Sequence, residues 1–239
     1  MAMRLERAVV VGASGGIGGA LAVALADRGT RVHALSRRGV AADARLAAGI
    51  IDIEDETSIA DAAAALRAEG PLDLVLVATG LLHADGIAPE KSHRQLSAAS
   101  FERYFAVNAT GPALVAKHFL PLLRSDRPSV FAALSARVGS IGDNRLGGWH
   151  GYRASKAALN MIVKTLAVEL ARTHPQAACV ALHPGTVATD LSQPFLRGVP
   201  ADRRFSPDIA AKHLLDVIAD LSAAESGSIL AWDRSRITP

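Results

Sequence analysis

Only 4% of the residues in this chain are aromatic, and it carries one cysteine, two tryptophans and two tyrosines. A single cysteine, Cys179, excludes an intrachain disulfide. Its place in the apolar run Ala177-Ala178-Cys179-Val180-Ala181-Leu182 predicts buried strand packing. With so few rings, the core has to be built from Ala, Val, Leu and Ile. No apolar stretch reaches the roughly 20 residues that cross a bilayer, and Met1–Arg7 is too short for a signal peptide ahead of the first apolar run. A cytoplasmic protein without a membrane partner is expected. Eight histidines are scattered without ligand spacing or companion cysteines, so no metal site is expected. The net charge of +3 is spread along the chain, with Arg37-Arg38 and Arg203-Arg204 its only basic doublets. No basic stripe with interleaved aromatics accompanies it, so nucleic acid is not an expected partner.

Half of the 239 residues are apolar and about a fifth are charged, which suits one compact α/β domain spanning 1–239. Short apolar runs bounded by turn signals alternate with longer amphipathic segments, the pattern of a mostly parallel sheet of about seven strands covered by helices on both faces. Strands are predicted at Ala8–Val11, Arg31–Leu35, Gly49–Ile53, Leu72–Ala78, Ser129–Leu134, Ala178–Leu182 and Ser228–Trp232. Helices are predicted at Ile17–Arg28, Asp55–Glu69, Ser100–Leu123, Tyr152–Thr173 and Pro207–Leu221, with a short one at Ala41–Ala48. Two long connections remain, 80–99 and 186–206, and loops of that length in a compact domain are usually functional. The second follows the sixth strand, at the end of the sheet where such folds bind ligands, and 187–206 is the expected substrate lid.

Tyr152 and Lys156 lie four residues apart in His150-Gly151-Tyr152-Arg153-Ala154-Ser155-Lys156, just over one helical turn, so their side chains share a face. A lysine held there stabilises the phenolate and is expected to pull the tyrosine pKa below about 10. The phenol then becomes a proton donor to a carbonyl, or a base towards an alcohol, near neutral pH. Alone, such a pair would be ordinary helix surface. What distinguishes it is the turn Gly12-Ala13-Ser14-Gly15-Gly16-Ile17-Gly18, between the apolar run Val9-Val10-Val11 and an Ala/Leu-rich helical pattern. Strand, glycine turn and helix N-terminus together present free N–H groups and a positive dipole end to an anion such as a pyrophosphate.

These two motifs resemble the short-chain dehydrogenase/reductase family in its classical form, and the resemblance runs over nearly the whole chain. Gly12-x-x-x-Gly16-Ile17-Gly18 is similar to its cofactor turn and Tyr152-x-x-x-Lys156 to its catalytic pair. Val107-Asn108-Ala109 resembles its mid-helix asparagine, and His183-Pro184-Gly185-Thr186-Val187 its Pro-Gly segment. Ser135-Ala136-Arg137-Val138-Gly139-Ser140-Ile141-Gly142-Asp143-Asn144, followed by Gly147-Gly148, resembles the C-factor or sniffer-type carbonyl reductase branch. The resemblance implies a Rossmann-type, doubly wound α/β fold.

The end of the second strand bears on NAD against NADP, because a carboxylate there accepts from the ribose 2′-hydroxyl and an arginine pairs with a 2′-phosphate. Val32-His33-Ala34-Leu35-Ser36-Arg37-Arg38 holds no acid there, which favours NADP, with Arg37 as the contact. By resemblance, Asp52 holds the adenine amino group and Ile53 flanks the ring. Ala78-Thr79-Gly80 stands in place of an Asn-Asn-Ala-Gly run, keeping a backbone role beside the ribose. Ser14 lies in the phosphate turn, Pro184, Gly185, Thr186 and Val187 are implied to close over the nicotinamide, and Thr189 could reach a phosphate.

Tyr152 is then the acid and base, while Lys156 lowers its pKa and holds the ribose hydroxyls. Asn108 sits in an otherwise apolar helical stretch where asparagine is a poor fit, and Gly111-Pro112 beyond it predicts a bend. The family uses this residue in a proton relay through the lysine. The serine is ambiguous. Counting from Ser129 selects Ser135, counting back from Gly139 selects Ala136, and Ser140 is a further candidate. Ser135 is preferred because it ends the strand and can point into the cleft. Overall the sequence predicts an NADPH-dependent oxidoreductase acting on a small carbonyl or alcohol. The alternative is a dinucleotide-binding signalling or sensing protein with little catalysis. A homodimer or homotetramer is expected, packed through alanine-rich outer faces at Ala113, Ala116, Ala157, Ala158 and Ala167.

Overall fold

The computed structural model describes residues 3–40, 43–84 and 86–239. Strands β1 (Arg7–Val11), β2 (Arg31–Ser36), β3 (Leu46–Ile50), β4 (Leu74–Val77), β5 (Ser129–Leu134), β6 (Ala177–His183) and β7 (Ile229–Ala231) form one sheet. Their order is β3-β2-β1-β4-β5-β6-β7, and every neighbouring pair is parallel. The main helices are α1 (Gly16–Asp27), α2 (Glu56–Arg67), α3 (Ala98–Phe105), α4 (Gly111–Phe119), α5 (His150–Leu170) and α6 (Pro207–Ala219).

A parallel sheet needs cover on both faces, and strand alternation divides the apolar side chains between two layers. Val9, Val11, Val75 and Val77 pack with Ile59, Phe119, Leu159 and Val163 of α2, α4 and α5. Ala8, Val10, Leu74 and Leu76 pack with Leu21, Leu25, Leu214 and Ile218 of α1 and α6. Cys179 lies fully buried in the first layer, and burial pushes its thiol up to about 12. The winding reverses between β1 and β4, which opens a crevice beyond their carboxyl ends. Val11 and Val77 stand side by side there, and Ala78 donates its N–H to the Val11 carbonyl at 2.8 Å.

Three expectations need correction. The third strand begins at Leu46, not Gly49, and no helix covers Asp43–Ala48; Ala41 and Ala42 lie outside the described residues. Pairing with β2 overrides the helical propensity of the alanines. The apolar signal at Ile51 and Ile53 belongs to the following loop, which buries both. The predicted helix Ser100–Leu123 is interrupted by a π-turn at Ala106–Thr110, just before the Gly-Pro pair. A Cβ on Gly111 would come within 2.9 Å of the Ile53 carbonyl oxygen, so glycine permits the close approach of α4 there. Finally, Ala116 and Ala167 point into the core rather than outward. The outer face of α5 instead exposes Met161 and Val168.

Candidate active site

The glycine turn forms the floor of the crevice. Gly12 has φ +91°, and a Cβ there would lie 2.9 Å from the Thr79 methyl. A Cβ on Gly18 would collide with the Gly12 carbonyl oxygen, so strand and helix can meet only through glycine. A Cβ on Gly16 would reach within 2.8 Å of Thr189 Cγ2, which brings segment 187–206 against the start of α1. The first turn of α1 has neither a side-chain cap nor an acidic residue, so its N–H groups remain directed at the crevice.

Three connected hollows run along this edge of the sheet. The first is lined by Gly12, Ser14, Arg37, Ile53, Ala78, Thr79 and Gly80, among others. The second lies between Ser14-Gly15-Gly16-Ile17-Gly18 and Ala188-Thr189-Asp190, sharing Ser14, Ala78 and Gly80 with the first. The third is lined by Tyr152, Pro184, Gly185, Thr186 and Val187, sharing Ile17, Thr189 and Leu191 with the second. At the far end of the first hollow, Glu54 pairs with Arg37 at 3.8 Å and with Arg103 of α3. Asp52 stands behind this wall; its Oδ1 accepts the Glu54 N–H at 3.0 Å while Ile51, Ile53 and Glu54 face the hollow.

Tyr152 is buried in the third hollow, and Lys156 lies beneath it on the next turn of α5. The lysine Nζ is 6.0 Å from the centre of the Tyr152 ring and donates to the Leu134 carbonyl at 2.8 Å. Burial brings the Lys156 pKa down to about 8. Burial also pushes the Tyr152 phenol upward, with a smaller push from Tyr104. The expected lowering of the tyrosine by the lysine is not found in this arrangement, where the ammonium is engaged by the Leu134 carbonyl and burial disfavours the phenolate. Asn108 is fully buried within the π-turn. Its Oδ1 accepts the Leu81 N–H at 2.8 Å, and its Nδ2 donates to the Leu81 carbonyl at 2.9 Å and to Ser155 Oγ at 3.0 Å. A Cβ on Gly80 would stand 3.7 Å from Asn108 Oδ1 and 3.8 Å from Lys156 Nζ, so both groups converge behind that glycine.

Ser135 borders the third hollow, but its hydroxyl donates to Asn160 Oδ1 at 2.7 Å. A hydroxyl has one proton, so in this geometry Ser135 has none to offer a substrate oxygen, against the role expected of it. Ala136 packs against the cluster holding Tyr152. Ser140 is buried and accepts the Asp143 N–H at 3.0 Å. Among the polar neighbours of the hollow, His183 has a buried Nδ1 without a hydrogen-bond partner. Burial, aided by Arg137, lowers its pKa to about 4 and keeps it neutral.

Residues 6–199 match the family described as short chain dehydrogenase. The chain belongs to this family. It is 32% identical to a 1-hydroxy-2-glutathionyl-2-methyl-3-butene dehydrogenase from Rhodococcus sp. strain AD45 over 93% of this chain and 95% of that one. It is 36% identical to C-signal from Myxococcus xanthus over 58% of this chain and 78% of that one, which agrees with the C-factor/sniffer-like branch. Its fold superposes on the NADPH-bound carbonyl reductase from chicken fatty liver with a TM-score of 0.82, at 25% identity, covering 99% of this chain and 100% of that one. As a short-chain dehydrogenase it is an NAD(P)-dependent oxidoreductase acting on CH–OH/C=O groups.

The short-chain dehydrogenase crevice fits a nicotinamide dinucleotide on its own geometry. Only glycine is accommodated at positions 12 and 18, a Cβ at Gly16 would crowd the Thr189 methyl, and the uncapped start of α1 faces the middle hollow. Thr79 adds a buried hydroxyl without a partner in the first hollow. Among the described residues, no group of three or more His, Cys, Asp or Glu side chains converges on a metal-sized point, and no helix is long and apolar enough to cross a membrane. Several residues at the site carry no motif that reading the chain could have used. Arg103 enters through helix packing, and Asn160 continues the face of α5 one turn beyond Lys156. Trp149 and Glu90 meet only in three dimensions, through a hydrogen bond from the Trp149 N–H to the Glu90 carbonyl.

Proposed function

We propose that the protein is a reductase that takes its hydride from NADPH and delivers it to the carbonyl carbon of a small apolar substrate in the third hollow. The observation that carries this reading is the continuity of the crevice, from the Arg37 end through the glycine turn to the Tyr152 phenol. Two guanidiniums, Arg37 and Arg103, face the adenosine end, and among the described residues the carboxylate lining it, Glu54, is paired with both, an arrangement suited to a 2′-phosphate. The reduced nicotinamide supplies the hydride when bound.

Tyr152 gives its proton to the substrate oxygen, and a high phenol pKa keeps that proton in place until negative charge develops on the oxygen. Lys156, with a pKa of about 8, can return a proton towards Tyr152 near neutral pH. Asn108 fixes the start of the 80–99 loop beside the lysine, at the position the family uses for its relay. Asp52 shapes the adenine end through Glu54, Ser14 and Thr189 flank the phosphates, and Thr186 and Val187 bound the nicotinamide pocket. Segment 187–206 is the substrate lid. We place the enzyme in the cytoplasm as a homodimer or homotetramer that associates through α4 and α5.

One observation favours a second reading, dinucleotide binding for a signalling role. No serine proton is free beside Tyr152, because Ser135 bonds to Asn160. The discriminating experiment measures NADPH oxidation with a panel of ketones and aldehydes, alongside thermal shifts with NADPH and NADH. Turnover that Tyr152→Phe abolishes supports the reductase. Strong NADPH stabilisation with no turnover of any carbonyl supports the second reading.

A further inference from the structure

Three consecutive residues ahead of the catalytic helix adopt left-handed backbone: Gly147 with φ 63°, Gly148 with φ 67° and Trp149 with φ 53°. Glycine tolerates that region, but a tryptophan there is a genuine outlier that its surroundings must hold. The holder is Glu90, a carboxylate only 3% exposed. Its carbonyl accepts the Trp149 N–H at 2.5 Å, and its Oε2 accepts the Gly151 N–H at 3.2 Å, at the uncapped start of α5. A Cβ on Gly151 would stand 3.0 Å from Glu90 Oε1, so glycine lets the carboxylate sit there. A buried carboxylate at a helix N-terminus also has the favourable sense of the dipole.

This strained backbone aims the Trp149 indole into the third hollow. The indole lies edge-on to Tyr152 with ring centres 6.2 Å apart, and edge-on to Phe195 of the lid at 5.1 Å. Phe195 in turn contacts His83 at 5.7 Å, and His83 reaches the Asp190 carbonyl at 3.1 Å. The two long loops are thus joined around one aromatic wall. The apolar lining of the hollow includes Leu82, Val138, Leu191, Leu196 and Val199, while Ser135, His183, Thr186, Thr189 and Ser192 supply its neutral polar groups. Its one charged lining residue, Arg137, is paired with Asp143 at 3.1 Å. The hollow, whose Pro184–Val187 side is left to the nicotinamide, measures about 410 Å³.

Resting on the reductase reading, we propose that Trp149 is the specificity-determining residue of this site, held by Glu90, and that the substrates are uncharged carbonyl compounds with an aromatic ring next to the carbonyl. The ring packs against the Trp149–Phe195 pair where it borders the hollow and places the carbonyl oxygen at the Tyr152 phenol. Ring-on-ring contact favours such a ligand over an alkyl one of equal polarity.

The test compares acetophenone with butanone. With the wild-type enzyme, kcat/KM for acetophenone exceeds that for butanone, and Trp149→Ala reduces this ratio by about two- to tenfold, mainly through KM. Trp149→Phe restores most of the ratio, and none of the variants shifts the pH profile. An unchanged ratio in Trp149→Ala, or equal losses for both ketones, overturns the proposal. If the wild-type protein reduces neither ketone, the wider carbonyl panel decides the reductase reading, and binding decides the pocket. Replacing the other tryptophan, Trp232→Phe, leaves Trp149 as the sole indole of the chain. Acetophenone altering its emission, in the presence of NADP⁺, where butanone does not, supports the ring site. Equal or absent responses overturn it.

Discussion

Lys156 Nζ donates to the Leu134 carbonyl at 2.8 Å and lies 6.0 Å from the centre of the Tyr152 ring, so the ammonium is anchored to the end of β5 rather than to the phenol. Burial consequently raises the tyrosine and lowers the lysine. The chain has only two tyrosines, and burial pushes the other, Tyr104, up to about 12. Ultraviolet titration of the folded protein should show no phenolate as pH passes the ordinary tyrosine value of 10.0. Unfolding the protein at that pH should release both. A one-tyrosine step at or below pH 10, absent from Tyr152→Phe, would restore a lysine-lowered phenol.

Stability should follow the same two groups. Between pH 8 and 10.5 the unfolded chain holds a lysine proton that the folded chain has lost, so Lys156 makes the protein more stable as pH rises through that window. Above about 10 the sign reverses, because the folded state keeps tyrosine protons that the unfolded chain releases. Melting temperatures of wild type and Lys156→Met should converge from pH 8 towards 10, with the variant the more stable near neutrality. A gap that widens over that range would contradict the burial of a charged lysine.

Ser135 and Asn160 give the sharpest contrast between packing and catalysis. Removing the hydroxyl strands Asn160 Oδ1 in a buried site, which costs about 1–3 kcal/mol. Ser135→Ala should therefore melt earlier but keep kcat within about tenfold of wild type, against a loss of about 10²–10⁴ for Tyr152→Phe. Ala136→Ser places a hydroxyl beside the Tyr152 cluster and should raise kcat. If Ser135→Ala matches Tyr152→Phe in loss of rate with its stability intact, Ser135 donates to the substrate after all.

Much of this was legible in the chain, for identifiable physical reasons. Strands buried on both faces leave continuous β-branched and apolar runs, which is why Val9-Val10-Val11 and Leu74-Val75-Leu76-Val77 could be found. The glycine turn was visible because positive φ and close backbone approach admit no other residue at Gly12 and Gly18. β3 was misplaced because it is an edge strand with exposed Ala47, Ala48 and Ile50, so it lacks a burial pattern. A bend in the long helix was legible from Asn108 and Gly111-Pro112, whereas its interruption by a π-turn was not. The Ser135 hydroxyl could not be assigned, since its partner Asn160 lies a helix away and only packing decides which proton goes where. The ion-pair group of Arg37, Glu54 and Arg103 joins three separate segments and leaves no local spacing to read.

That group sets a prediction for cofactor choice. Glu54 holds both guanidiniums while itself partly shielded from solvent, so it competes with a 2′-phosphate for them. Arg37→Ala should weaken NADPH binding by about 10–100-fold, the loss of a charge-assisted contact, and leave NADH nearly unaffected. Glu54→Gln should strengthen NADPH binding instead, and raise the NADPH-to-NADH ratio. Calorimetric titration with each cofactor decides the matter; equal changes for both in Arg37→Ala would remove Arg37 from phosphate reading.

Asn108 tests whether the π-turn serves position or merely packing. Its amide satisfies both the N–H and the carbonyl of Leu81 and also bonds to Ser155, tying the 80–99 loop to α5 one residue before Lys156. Replacing it with alanine leaves two buried backbone groups of Leu81 unpaired, each costing about 1–3 kcal/mol. Asn108→Ala should accordingly melt lower, and Asn108→Asp should recover the bond from the Leu81 N–H but not the one to its carbonyl. A purely structural residue would leave kcat and its pH dependence alone in whatever fraction stays folded. Because Asn108 Oδ1 and Lys156 Nζ converge behind Gly80, we expect more: kcat falls at temperatures well below melting, and the pH profile shifts with the lysine. A normal kcat per folded molecule, with an unmoved profile, would confine Asn108 to holding the loop and take it out of the proton path.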